Sequence, residues 1–172
     1  GFLSDVCRQW EAAVEPAVRA GIRVVTLRIG VVLSARGGAL ARMLPPFLLG
    51  GGGVLGGGRQ YMSWISLEDL VGLAHHAVVD ERLSGPVNAV APAAVTNREF
   101  TRTLARVLRR PAIVPVPAFA LRAAVGEMAD ALLLASTRVA STKLADSGFV
   151  FRDADLETAL RWNLGRLSNA GR

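Results

Sequence analysis

Cysteine is nearly absent: Cys7 is the only one in 172 residues. That excludes an internal disulfide and any thiolate-rich metal site. Lysine is equally scarce, Lys143 being the only one, so arginine carries almost all of the positive charge. Tyrosine occurs once, as Tyr61, and the two histidines, His75 and His76, are adjacent. Neighbouring residues of a helix point about 100° apart and cannot close on one metal, so a structural role is expected for both. Long apolar runs are missing too. The charge-free stretches Met43 to Gly58 and Leu83 to Asn97 are broken by glycine, proline or polar residues. Neither reaches the roughly 20 apolar residues of a spanning helix. No secretory pattern opens the chain. The expectation is a cytoplasmic chain that touches no membrane.

An apolar fraction of 51% is enough to build a folded core. The length suits one domain of ordinary size. The net charge is +6, but the arginines are dispersed along the chain. Without a basic stripe or aromatic platforms, no nucleic-acid partner is expected.

The order of elements is that of an α/β fold. Residues 4–19 read as a helix capped by Ser4 and bent or ended early by Pro16. Residues 22–33, rich in β-branched side chains and almost continuously apolar, predict a strand buried on both faces of a parallel sheet. A short apolar segment, Ala39 to Leu44, then runs into Pro45-Pro46. Two glycine runs, Gly50 to Gly53 and Gly56 to Gly58, follow. No Lys-Ser or Lys-Thr closes them, and Tyr61 to Ile65 reads as a strand, so a flexible surface loop is favoured over a phosphate cradle. That loop is expected to be mobile until substrate orders it. A helix over 67–79 and a strand over Val87 to Val90 come next. Thr96-Asn97-Arg98-Glu99 is a capping box opening a helix to about Leu108. Its arginine row, Arg98, Arg102, Arg106 and Arg109, reads as a solvated face. Pro111 to Pro117 is extended, and helices are expected over 118–134, 141–147 and 153–163.

Several ordered segments together resemble one family. They are Trp10 to Ala13, Gly30 to Leu33, Gly37 to Leu40, Met43 to Phe47, Gly56 to Gln60, Ser63 to Ile65, Asn88 to Pro92, Asn97 to Phe100 and Pro115 to Ala118. The family is that of the atypical extended short-chain dehydrogenase/reductases known as epimerase-family proteins, often labelled nucleoside-diphosphate-sugar epimerases. The resemblance implies the C-terminal half of a Rossmann-like NADP-binding fold plus a mostly helical substrate lobe. Residues 1–95 would complete the Rossmann-like part and residues 96–172 form the lobe. The strand at 22–33 then matches the sixth of the sheet and Val87 to Val90 the seventh. By the same match Gly30, Val31 and Val32 carry over as cofactor contacts, with NADP(H) the implied cofactor. This agrees with the physical rule that ligands of open α/β sheets lie beyond the carboxyl ends of the strands. Gly30 would leave room for close approach.

Two family features are missing. The pyrophosphate-cradling glycine fingerprint does not occur, and neither does a Tyr with Lys four residues on, since Ile65 follows Tyr61 at that spacing. A chain that opens on Gly1 and enters a helix directly reads as part of a longer protein, whose N-terminal half would be its partner. Such a fragment is expected to be unstable or self-associating along an exposed strand edge, and inactive by itself. The first functional reading is an NADP(H)-dependent epimerase or oxidoreductase with a small-molecule substrate of the nucleotide-sugar class. Arg59, Tyr61, Met62 and Trp64 would face that substrate, with core filling the alternative for Met62 and Trp64. Arg28, charged inside an apolar strand, is expected to pair with a buried carboxylate, a cofactor contact being the alternative. The second reading is a non-catalytic NADP(H)-binding regulator, some relatives being labelled cell-division inhibitors. A hydrolase is excluded by the lack of a Gly-x-Ser-x-Gly element.

Overall fold

The computed structural model describes residues 2–126, 130 and 134–166. In chain order the elements are α1 (Phe2–Ala12), α2 (Glu15–Arg19), β1 (Val25–Ile29), β2 (Val31–Leu33), α3 (Gly38–Leu48), β3 (Tyr61–Met62) and β4 (Trp64–Ser66). There follow α4 (Leu67–Val79), β5 (Gly85–Ala89), β6 (Val95–Thr96), α5 (Asn97–Leu108), α6 (Ala118–Val125), α7 (Thr142–Asp146) and α8 (Leu156–Asn163).

Three departures from the sequence reading have local causes. The expected helix over 4–19 is two helices. The first helix ends at Ala12, four residues before Pro16, as the expected early stop requires, and Pro16 then sits in the first turn of α2, where its missing N–H is no loss. Helix α3 continues through Pro45 and Pro46. Its buried Leu40 and Phe47 lie two turns apart on one face, and that anchorage offsets the two lost donors. Helix α8 begins at Leu156 because Asp155 caps it, accepting the Thr158 N–H at 2.9 Å. The predicted capping box at Thr96 and Glu99 is present in full. Of the helix expected over 118–134, Ala118–Val125 is helical and ends at Gly126, with φ of 63°. Residues 127–129 and 131–133 lie outside the described residues.

The expected single strand over 22–33 divides at Gly30. Strand β1 runs parallel to β5, with Val25 opposite Gly85 and Ile29 opposite Ala89. Strand β2 runs parallel to β4, with Val31 opposite Trp64. The switch takes one residue: the Gly30 N–H donates to the Ala89 carbonyl at 3.2 Å, and the Val31 N–H to the Ser63 carbonyl at 2.8 Å. Strands β3 and β6 form a third, antiparallel pair.

Two apolar clusters hold these pairs together. One gathers Leu33, Leu40, Phe47, Trp64, Phe100, Leu104 and Leu160. The other gathers Ile65, Leu73, Val87, Ala89 and Leu144. Each draws on both sides of residue 95, so the division expected there is not a division of the core. Strand β1 is not buried on both faces as its composition suggests. Among the described residues β5 is its only strand partner, and Ile29 is 51% exposed. Arg28 does find a carboxylate, Glu11, through two bonds of 2.6 and 2.7 Å.

Candidate functional site

Gly30 stands where the parallel pair β1–β5 ends and the pair β2–β4 begins. The carboxyl ends of parallel strands are where open α/β sheets receive ligands. The reason this position is glycine differs from the one expected. A Cβ built there would meet the Ser63 carbonyl oxygen at 2.7 Å and Val90 Cγ1 at 2.9 Å. The close approach is that of the protein's own chain. Val31 and Val32, on opposite faces of β2, pack against the first and second clusters respectively. They offer an apolar wall and neither charge nor side-chain donors.

The four candidate substrate residues separate into two groups. Arg59 is exposed, and Tyr61 and Met62 are half-buried. Met62 borders the same cluster as Val31. Trp64 is 1% exposed, and its indole N–H donates to the Ala93 carbonyl at 3.0 Å. Its role here is the core filling named as the alternative.

The glycine-rich segment is a packed loop, bonded to two other parts of the chain and not lying free on the surface as its composition suggests. The Leu55 N–H donates to Asn97 Oδ1 at 2.9 Å. Gly56 donates to the Val116 carbonyl, and Val116 to that of Val54, both at 2.9 Å. The first amides of α5 point into the loop, Asn97 N–H to Gln60 O at 2.9 Å and Arg98 N–H to Gly58 O at 3.0 Å. A helix N-terminus binds anions through such free amides, and here the loop carbonyls already occupy these two. Gly52 and Gly53 are buried. A Cβ at Gly53 would overlap the Val114 carbonyl oxygen.

A model of a family described as a domain of unknown function, DUF1731, matches residues 116–162. An epimerase family protein of Mycobacterium bovis is 49% identical over 160 residues, which cover 93% of this chain and 53% of that protein. Over nearly all of its length the chain is thus similar to proteins named epimerase family proteins. The crystal structure of the human epimerase family protein SDR39U1 with NADPH is 36% identical and superposes with a TM-score of 0.81, over 85% of this chain and 50% of that one. A nucleoside-diphosphate sugar epimerase from Corynebacterium glutamicum is 37% identical with a TM-score of 0.77, over 99% of this chain and 32% of that one. The fold is accordingly Rossmann-like. The chain spans about half the length of the curated relatives it matches.

Ser63 and Asn97 matter to the site's architecture and were not singled out by sequence reasoning. The Ser63 carbonyl receives the Val31 N–H at 2.8 Å. Its hydroxyl donates to the Thr137 carbonyl at 2.9 Å and accepts the Val139 N–H at 3.0 Å. Asn97, 1% exposed, holds Leu55 and lies against Met62 Sδ. Their partners are distant in sequence, so no local pattern marks them. Lys143 donates to the Ser84 carbonyl at 3.1 Å, at the amino end of β5. His76 bonds Ser147 Oγ at 3.0 Å and lies tilted against the Phe149 ring, a structural setting. Among the described residues no group of three or more His, Cys, Asp or Glu is placed to hold a metal. Nor is any helix among them long and apolar enough to cross a membrane.

The carboxylates near the site divide by environment. Glu99 is held below the usual carboxylate range by the Thr96 N–H and hydroxyl that donate to it. Asp153 is pushed up by burial, with the charges of Asp69 and Glu68 adding to the effect. Asp69 is satisfied by the backbone N–H groups of Arg152 and Asp153, at 2.8 and 3.0 Å.

Proposed function

We propose that this chain forms the nicotinamide-side wall and the substrate strand of an NADP(H)-dependent epimerase-family oxidoreductase, the remainder of the dinucleotide site coming from residues outside it. The observation that carries this reading is the fork at Gly30. Two parallel strands end there side by side, and the half-buried Val31 borders the cluster that Met62 also borders. The human relative solved with NADPH supports the choice of cofactor. The residues fit one end of a dinucleotide only. Val31 suits the flat, weakly polar face of a nicotinamide ring, whereas Gly30 is closed off by Ser63 and acts by setting the fork. NADP(H), when bound, supplies or accepts a hydride. This chain's share is to hold the ring against the wall and to orient the substrate through Arg59, Tyr61 and Met62. A nucleotide sugar is the substrate class in keeping with the family.

The second reading, a protein that binds NADP(H) without turnover, is favoured by one feature. The chain's single Tyr and single Lys occupy unrelated places, Tyr61 on β3 and Lys143 against Ser84. A hydride-transfer site needs a group to exchange the substrate proton. Titration of full-length protein with NADPH, followed by cofactor fluorescence, tests the shared part. Binding is expected, and Val31→Glu is expected to weaken it about tenfold by placing a charge against the ring. Unchanged affinity in a folded V31E variant removes this wall from the site. Turnover of nucleotide sugars by the same protein decides between the two readings.

A further inference from the structure

We propose that Arg138 is an oxyanion-recognition residue that helps decide which substrates the site accepts. The inference rests on the reading of Tyr61 as substrate-facing. The guanidinium carbon of Arg138 lies 4.8 Å from the centroid of the Tyr61 ring. An arginine held over an aromatic face keeps its N–H groups available, and their planar fork suits a two-pronged bond with phosphate or carboxylate. Arg138 is exposed, and among the described residues neither it nor Arg59, two residues before Tyr61, pairs with a carboxylate. Other arginines are committed to carboxylates, among them Arg28 to Glu11, Arg82 to Asp80 and Arg106 to Glu157.

The backbone around Arg138 is fastened to the same strand. The Tyr61 N–H donates to Ser136 Oγ at 3.1 Å, and the Thr137 N–H to the Tyr61 carbonyl at 2.9 Å. The Ser63 hydroxyl then clamps both Thr137 and Val139, the residues on either side of Arg138. Ser63 is 5% exposed, and its carbonyl also receives the Val31 N–H. One buried serine thus joins the proposed cofactor wall to the segment that presents Arg138. Ser63 is a positioning residue in this arrangement, and Arg138 the group that meets the ligand.

The test is calorimetric titration of full-length protein with inorganic pyrophosphate and, separately, with succinate, for the native chain, Arg138→Ala, Arg138→Lys and the control Arg102→Ala, an exposed arginine of α5. The native protein should bind at least one of the two anions. Binding of pyrophosphate identifies a phosphoryl group as the partner, and binding of succinate alone identifies a carboxylate. R138A should weaken the bound anion tenfold or more. R138K should recover only part of that loss, because an ammonium lacks the planar fork, and R102A should change nothing. The proposal is overturned if neither anion binds the native protein, if R138A binds as the native protein does, or if R102A weakens binding equally. NADPH titration of the same proteins keeps the two readings apart. Failure of the native protein to bind NADPH overturns the cofactor reading alone, while the anion titrations decide the role of Arg138.

Discussion

The loop from Gly50 to Gln60 and strand β1 lie in the same chain and are held in opposite ways. The loop is bonded on two sides, to the first turn of α5 and to the extended segment around Val116. Two of its glycines, Gly52 and Gly53, are buried where a side chain would collide with Phe47 or Val114. Strand β1 is bonded along β5 only, among the described residues. Ile29 at its end and Ile22 before it stand exposed, as does Trp10 of α1, at 73%. Regular structure is therefore no guide to where this chain is self-sufficient. The irregular loop has its polar groups and its packing supplied from within. The regular strand leaves a row of backbone groups and apolar side chains for something else to cover. On the proposed function that cover is the rest of a Rossmann-like sheet.

The largest expected effect lies in the loop. Gly53→Val places atoms where the Val114 carbonyl stands, and relief requires the backbone to move. A loss of about 3 kcal/mol or more is expected, a fall of roughly 6–12 °C in the midpoint of a thermal melt. A variant melting within a degree or two of the native chain would mean that the loop is loose after all. Asn97→Ala tests the loop's other seam. It leaves the half-buried Leu55 N–H without its acceptor, at an expected cost of about 1 kcal/mol by chemical denaturation.

Asp153 gives an effect that depends on pH. Its folded carboxyl titrates above the ordinary value, mainly because it is buried. The folded state therefore holds the proton more tightly, and the stability this contributes is fully present below the ordinary carboxylate value. It is lost as the pH rises through the raised folded value. Denaturant melts of the native chain and Asp153→Asn should shift in favour of the asparagine across that window and run parallel above it. Parallel behaviour throughout would show that Asp153 is not perturbed. The smallest effect on stability is expected at the open edge. Ile29→Lys removes an exposed side chain and should change stability by less than about 0.5 kcal/mol. Sizing chromatography of the 172-residue chain should nevertheless show less self-association, since a charge on an edge strand blocks pairing. Identical elution profiles would rule out this edge as the contact.

What the sequence makes legible here is local. The capping box at Thr96 and Glu99 needs four adjacent residues, and the helix over Leu67–Val79 is set by Ser66 and an apolar stripe. Both are as expected. The fork at Gly30 was hidden by a run of apolar residues that looks the same whether a strand keeps one partner or changes to another. The packed loop was hidden because its partners, Asn97, Val114 and Val116, follow it by some forty to sixty positions. Glycine content registers the freedom of the unfolded chain and not the contacts that later remove it. The candidate site shows the same limit. Tyr61 and Met62 could be singled out because they lie between two segments that carry the family resemblance, whereas the roles of Ser63 and Arg138 follow only from a strap joined across more than seventy residues.

Amide hydrogen exchange compares the two regions directly. The Gly30 N–H faces β5, so by alternation along a parallel strand the amides of Leu27 and Ile29 face the open edge. In the monomer fraction of the 172-residue chain, Leu55, Gly56 and Gly58 should be protected while Leu27 and Ile29 exchange rapidly. In the full-length protein Leu27 and Ile29 should become as protected as the loop, because a neighbouring strand then takes their amides. Equal exchange of Leu27 and Ile29 in the two proteins would contradict the account, since the open edge of β1 would then not be the seam along which the rest of the sheet joins.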